Sequence, residues 1–176
     1  MRPDQTLRFE QAILPHLDAA YNLARWLMRN EDEAADAVQD ACVRALRFIG
    51  GFRGGDGRVW LLAIVRNTCY SRLKRGRMRD LESEFDDEIH SVESQASDPE
   101  LLLARGRDGE ALRRALEELP EEFREVIVMR ELEGMAYKEI ADVAGIPIGT
   151  VMSRLARGRK RLQQLLTAPP PKESRG

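Results

Sequence analysis

Residues 137–161, Tyr137-Lys-Glu-Ile-Ala-Asp-Val-Ala-Gly145-Ile-Pro-Ile-Gly-Thr150-Val-Met-Ser-Arg-Leu-Ala-Arg-Gly-Arg-Lys-Arg161, are the stretch on which the fold turns. Ala141, Gly145 and Val151 stand four and then six residues apart. That spacing suits a small residue where two helices touch, a turn glycine, and a core anchor on the second helix: a helix-turn-helix. At 3.6 residues per turn, Val151, Leu155, Leu162 and Leu166 line one face of the second helix. Thr150, Arg154, Arg157 and Arg161 line the other, and no acid occurs between Thr150 and Leu166. A helix that is apolar inward and cationic outward suits docking in a DNA major groove. The structural alternative is a solvated basic face on an ordinary amphipathic helix, and the preceding helix and turn favour the DNA-facing reading.

Around this motif the chain has 176 residues, room for one domain or two small ones. Hydrophobic residues make up 43%, enough for a packed core, while 33% charge and a mean hydropathy of −0.46 point to a soluble protein. No apolar run approaches the roughly 20 residues of a membrane span, so no membrane insertion is expected. The start, Met1-Arg2-Pro3-Asp4-Gln5, lacks the apolar stretch of a secretion signal. Cys42 and Cys69 both sit in apolar helical patterns, which predicts buried thiols in a reducing compartment and makes the cytoplasm the default. With His16 and His90 they show no metal-ligand spacing, so no metal and no cofactor is expected.

The net charge of −2 conceals segregation. From Asp80 to Glu100 there are nine acids and no Lys or Arg. Setting those nine aside leaves 21 of the 30 acids against all 28 bases, a net of +7. Two basic regions are thus separated by an acidic one.

Apolar residues recur at three and four rather than two, so the predicted fold class is all-α. Helices are expected over about 6–29, 31–48 and 58–77, with a glycine-rich loop (Gly50, Gly51, Gly54, Gly55, Gly57) before the third. Asp98-Pro99 reads as an N-cap and first helical residue, and further helices are expected over about 120–133, 136–144 and 148–166. The division is a helical domain at 6–79, a flexible acidic linker at 80–97, a second helical domain at 98–167 and a disordered Pro-rich tail at 168–176.

The N-terminal half carries its own chemistry. The second helix places Ala34, Val38, Ala41, Ala45 and Ile49 on one side, with Cys42 beside them. Asp36, Asp40, Arg44 and Arg47 occupy the other, flanked by Gln39. Asp40 and Arg44 form an acid-first i,i+4 pair, and the face reads either as local stabilisation or as a dock for a basic partner. On the third helix Leu62, Val65, Cys69 and Leu73 point inward and Arg66, Tyr70, Lys74 and Arg77 outward, with Asn67 adjacent. From Arg66 to Arg79 there are six cations and no acid. Cations neutralise phosphates, and Tyr70 or Trp60 offers a ring on which an unpaired base can stack. Trp60 fits core packing equally well. The glycine loop has no following Gly-Lys-Ser/Thr and is not a nucleotide-phosphate loop.

Taken together, the motifs resemble bacterial RNA polymerase sigma factors of the extracytoplasmic-function (ECF) type, which keep only sigma regions 2 and 4. Glu33-Ala34-Ala35-Asp36-Ala37-Val38-Gln39-Asp40 parallels the family's region 2.2, whose pattern ends Asp-Leu-Val-Gln-Glu. Trp60-Leu61-Leu62-Ala63-Ile64-Val65-Arg66-Asn67 is similar to its Trp-Leu, Ile-Ala-Arg-Asn segment. Leu119-Pro120 through Val126-Ile127 resembles region 4.1. Tyr137-Lys138-Glu139-Ile140-Ala141 with Gly149-Thr150-Val151-Met152-Ser153-Arg154-Leu155 resembles region 4.2. The sequence departs from the pattern at Ala35 and Ala37, where the family often has Glu and Leu, and at Met152, where it often has Lys.

The resemblance implies an initiation subunit without a catalytic site or small-molecule substrate of its own. Asp36, Gln39 and Asp40 would dock on core RNA polymerase. Arg58, Trp60, Arg66, Asn67, Tyr70 and Lys74 would engage the −10 element of promoter DNA as single strand, with the Gly50–Arg58 loop framing a flipped base. Thr150, Ser153 and Arg154 would read bases of the −35 duplex while Arg157 and Arg161 hold its phosphates. The acidic linker would thread toward the polymerase RNA channel or serve as a plain spacer. An anti-sigma factor is the expected inhibitory partner. A helix-turn-helix regulator acting without polymerase is the alternative, but it would not need the Asp36–Asp40 face or the Arg66–Arg79 helix. A sigma mimic that sequesters an anti-sigma factor would not need a basic recognition helix. A nucleic-acid enzyme would need a carboxylate set or a nucleophile with its base, and neither stands in a plausible constellation, the linker acids lacking a scaffold.

Overall fold

The computed structural model describes residues 2–82 and 107–167, and its regular elements are all helical. The first expected helix is two. α1 (Pro3–Ala12) ends at Ile13, a 3-10 turn follows at Leu14–His16, and α2 covers Leu17–Met28. Pro15 causes the break, since it has no N–H to donate and disfavours helical geometry at Leu14. The next corner is written in Arg29-Asn30-Glu31-Asp32-Glu33. Arg29 takes a left-handed φ of 61° and its N–H closes α2 on the Arg25 carbonyl, 2.9 Å away. Asn30 then caps α3 (Glu31–Phe48) by accepting from the Glu33 N–H at 3.0 Å, and three acids sit at the positive end of the helix dipole.

Ala34, Ala37, Ala41 and Ala45 are fully buried. This ridge of small side chains lets α3 lie close to α2 and α4 (Gly57–Glu82), over Leu23, Leu27, Leu61, Leu62, Val65 and Cys69. Ala37 takes the inward place expected of Val38, which is half-buried. Gly57 starts α4 because a Cβ there would overlap the Ala12 carbonyl oxygen. Cys42 and Cys69 are free thiols.

The second domain comprises α5 (Arg107–Glu118), α6 (Glu121–Ile127) running into a π turn (Val128–Leu132), α7 (Tyr137–Ala144) and α8 (Ile148–Thr167). Gly145 makes the turn of the motif, with φ 67°, and the N–H groups of Gly145 and Ile146 both return to the Ala141 carbonyl. The inward side of α8 is Val151, Leu155, Gly158, Leu162 and Leu165; Leu166, expected there, is 45% exposed. α4 runs to Glu82, past the expected domain edge at 79. The expected linker beyond Glu82, the Asp98-Pro99 helix start and the 168–176 tail lie outside the described residues.

The two domains pack on each other, α4 along α7 and α2 against α6. Arg124, 3% exposed, sits at this junction. It donates to the carbonyls of Leu116, Glu117 and Leu119 in its own domain and of Trp26 at the end of α2. Burial, then the nearby charge of Arg29, lower its pKa, and the converging carbonyls are what hold the cation inside.

Candidate nucleic-acid interface

Along α4 the structure assigns the expected strand-binding residues two different situations. Asn67 and Lys74 are exposed. Arg66 instead lies over the Tyr70 ring, 4.4 Å from its centroid, and forks onto Glu125 of the second domain. Its Nε donates to Oε2 at 2.7 Å and its Nη2 to Oε1 at 3.0 Å. Glu125 is fully buried and the Arg66 side chain 18% exposed. Burial works against the guanidinium charge, but Glu125 outweighs it and raises the Arg66 pKa. The Tyr70 phenol is pushed up by burial first and by the Glu125 charge second, so it stays a neutral donor.

Arg58 is also occupied across the junction, donating to the Glu133 carbonyl at 3.1 Å and lying 3.5 Å from the Glu139 carboxylate. Asp56 caps α4 through the Arg58 and Val59 N–H groups. Trp60 is half-buried with its ring centroid 5.2 Å from that of Phe52. Both rings line an open cleft of about 490 Å³ between the glycine loop and α7, with Arg53, Asp56, Lys138, Glu139 and Asp142 at its edge.

On α3, Asp36 and Gln39 are exposed, while Asp40 pairs with Arg72 of α4 at 3.1 Å rather than with Arg44. Arg44 donates to Thr68 Oγ1 at 3.3 Å. The helices α3 and α4 lie close enough that these cross-helix partners replace the local i,i+4 pair. The same face carries Val43 (54% exposed), and Phe48 (60%) lies exposed at the end of α3; the sequence reading missed both. The signal for Val43 was there, an apolar residue outside the inward 34/37/41/45 ridge; Phe48 continues that ridge in spacing and is exposed because the helix ends with it.

On α8 the expected reading residues separate. Ser153, Arg157 and Arg161 are exposed; Thr150 and Arg154 are half-buried. Arg154 lines a cavity of about 290 Å³ at the junction with Arg66, Tyr70, Pro120, Glu121 and Glu122. Two outward residues went unremarked, Ile148 (49% exposed) and Ala156, beside Met152 (53%). Among the described residues no helix is long and apolar enough to cross a membrane.

Fold and surfaces define a protein of two helical modules, the first carrying an aromatic and cationic helix and the second a helix-turn-helix. Family models agree module by module, Sigma-70 region 2 matching residues 12–79 and Sigma-70 region 4 matching residues 109–162. The RNA polymerase sigma-H factor of Pseudomonas aeruginosa is 31% identical over 90% of this chain and 86% of its own length. The ECF RNA polymerase sigma factor SigM of Mycobacterium tuberculosis is 35% identical over 90% of this chain and 76% of its own. For SigE of Mycolicibacterium smegmatis the identity is 32%, and the match spans 61% of that relative's length. Among solved structures, the sigma factor RpoE in complex with the anti-sigma factor NepR from Bartonella quintana matches with a TM-score of 0.69 and 31% identity, over 90% of this chain and 96% of that one. CnrH in complex with the cytosolic domain of CnrY matches with a TM-score of 0.61 and 25% identity, over 90% and 86%. The chain belongs to the ECF family of RNA polymerase sigma factors.

Proposed function

We propose that this chain is an alternative sigma factor, working in the cytoplasm without a catalytic site of its own, that docks on core RNA polymerase and directs promoter recognition, melting and initiation. Residues 6–79 dock and hold the −10 strand, and residues 98–167 read the −35 duplex. Asp36, Gln39 and Asp40, joined by exposed Val43, form the polymerase-facing surface of α3. Asn67 and Lys74, with Arg58, Trp60, Arg66 and Tyr70 once released, trap bases as they unstack. Melting costs on the order of 1–2 kcal/mol per base step, so a trap of rings and cations is what the reaction requires.

One observation carries this reading: two cations that the sequence assigns to DNA, Arg66 and Arg154, face the domain junction. Engagement of DNA then requires the domains to part, and a partner that holds them at a promoter's two-element spacing supplies that separation. A regulator acting alone has no use for such a junction. An anti-sigma factor, as NepR is for the RpoE of Bartonella quintana, would act by holding the domains in a DNA-incompetent arrangement.

The test is transcription in vitro from genomic fragments by core RNA polymerase, with and without this protein, mapping transcript starts. New starts sharing paired upstream motifs at fixed spacing are expected. No gain in initiation together with no co-elution with core enzyme would refute the proposal.

A further inference from the structure

The outward surface of α8 is organised in rows of residues four apart. One row is Ile148, Met152 and Ala156; beside it run Gly149, Ser153, Arg157 and Arg161. All seven are exposed. In the neighbouring row Thr150 and Arg154 are half-buried, and Arg154 faces the domain junction. On the far flank Arg159 is tied down by Glu131 at 2.7 Å. The free reading surface therefore keeps Arg157 and Arg161 of the Thr150–Arg154–Arg157–Arg161 line that charge picks out, and is rotated from Thr150 and Arg154 toward Ile148, Met152 and Ser153.

That rotated surface is half apolar. Ile148 and Met152 keep 49% and 53% of their surface in water in the first turns of the helix. The core does not require them, since Val151, Leu155 and Gly158 already face it. The first turns of a recognition helix are the part that reaches base edges. Among the groups that base pairs present in the major groove, one is apolar, the C5-methyl of thymine.

We propose that Met152, flanked by Ile148 and Ala156, is a specificity-determining residue that packs on thymine methyls of the upstream duplex element. This rests on the reading of α8 as the −35 reader. Met152 is unbranched and adapts its thioether chain to neighbouring methyls, whereas a lysine at this position would reach for guanine O6 and N7 or a phosphate. Ser153 supports the division of labour. Its hydroxyl donates back to the Thr150 carbonyl at 3.1 Å, leaving lone pairs outward to accept from a base amino group beside the methyl-reading row.

The experiment uses holoenzyme assembled from core RNA polymerase and the full chain, with the wild-type residue, Met152→Ala or Met152→Lys. Each selects from a duplex library randomised across the upstream element. The wild type is expected to retain thymine at one or two adjacent positions; Met152→Ala loses that preference alone, and Met152→Lys shifts it toward guanine. In the selected duplex, replacing those thymines by deoxyuridine removes only the methyl. Wild-type binding should fall about fourfold per methyl, the equivalent of one buried methylene, and Met152→Ala should be indifferent. A wild type indifferent to deoxyuridine, or a Met152→Ala variant with the full penalty, overturns the inference while the −35 reading stands. Loss of polymerase co-elution in Met152→Ala with thymine preference intact also overturns it, making the row a protein dock. Selection of no upstream element by the wild type fails the −35 reading itself. Met152 is exposed, so unchanged thermal melting of the variants excludes misfolding.

Discussion

Replacing Glu125 by Gln separates the closing of the domain junction from the folding of either domain. Glu125 is fully buried, and its two oxygens take two hydrogen bonds from Arg66 at 2.7 and 3.0 Å. Removing one member of a buried ion pair costs about 3–5 kcal/mol. Gln keeps one acceptor, and Arg66 retains the Tyr70 ring and some access to water, so the lower end, about 3 kcal/mol, applies here. That is roughly a hundredfold shift from closed to open at 1.4 kcal/mol per decade. The penalty falls on closing, because the carboxylate spans the junction and regains water when the domains part. Labels on cysteines introduced at exposed positions, Glu10→Cys and Gln163→Cys in a Cys42→Ser background, report the interdomain distance. Glu125→Gln should broaden and lengthen that distance while the melting midpoint of each domain stays near wild type. It should also strengthen binding of a single-stranded −10 oligonucleotide, which Arg66→Ala should weaken. An unchanged distance distribution, with an Arg66/Glu125 coupling below about 0.5 kcal/mol in a double-mutant cycle, would refute the reasoning.

Other outcomes follow from single contacts. Gly57→Ala must push α4 off the Ala12 carbonyl, and such overpacking should cost about 1–3 kcal/mol in thermal or urea unfolding. Cys69 is fully buried with its thiol pushed up to about 12, so at pH 8 a thiol reagent should label half-buried Cys42 first and Cys69 only at the rate of unfolding. Arg157 is exposed on the recognition helix, and Arg157→Ala should reduce the salt dependence of promoter binding by about one unit of slope, evenly across sequences.

Local rules made the second domain readable. Gly145 supplies the left-handed turn and Val151 and Leu155 the inward anchors, all within a few residues of one another. The Pro15 break was written just as locally and went unread, because the apolar period continues through it. What periodicity could not reveal is anything set across the junction. Arg66 looks in sequence like one more cation on a basic face; its partner Glu125 is 59 residues away, inside an amphipathic pattern where it reads as solvent-facing. The same limit applied to Asp40, whose nearest cation in sequence is Arg44 but whose partner in space is Arg72. Arg154 was legible as a cation and illegible as a junction residue. Met152 was noted only as a departure from lysine; its exposure, and the row it shares with Ile148 and Ala156, required the helix to be oriented on its core.

The junction sets cations against carboxylates. Three arginines of α4, Arg58, Arg66 and Arg77, each meet a carboxylate of the second domain, from Glu139, Glu125 and Glu121. At a rise of about 1.5 Å per residue they spread over roughly 28 Å of helix, so these carboxylates occupy places along α4 that phosphates of a bound strand would take. Their strengths are unequal. Arg77 is 64% exposed and its pair contributes about 0–1 kcal/mol in water, and the Arg58 contact at 3.5 Å is long. Of these three pairs only Arg66–Glu125 is desolvated, beside the buried Arg124 guanidinium that donates to the Trp26 carbonyl across the same junction. Opening onto DNA therefore exchanges carboxylate for phosphate at the two weaker sites with little net change. The cost concentrates at one buried pair, whose two hydrogen bonds must be replaced by those of a strand. Salt acts on the two steps differently: it weakens phosphate capture steeply and the buried pair hardly at all. Raising ionic strength should thus favour the closed arrangement in the presence of DNA while leaving the interdomain distance of the free chain nearly unchanged.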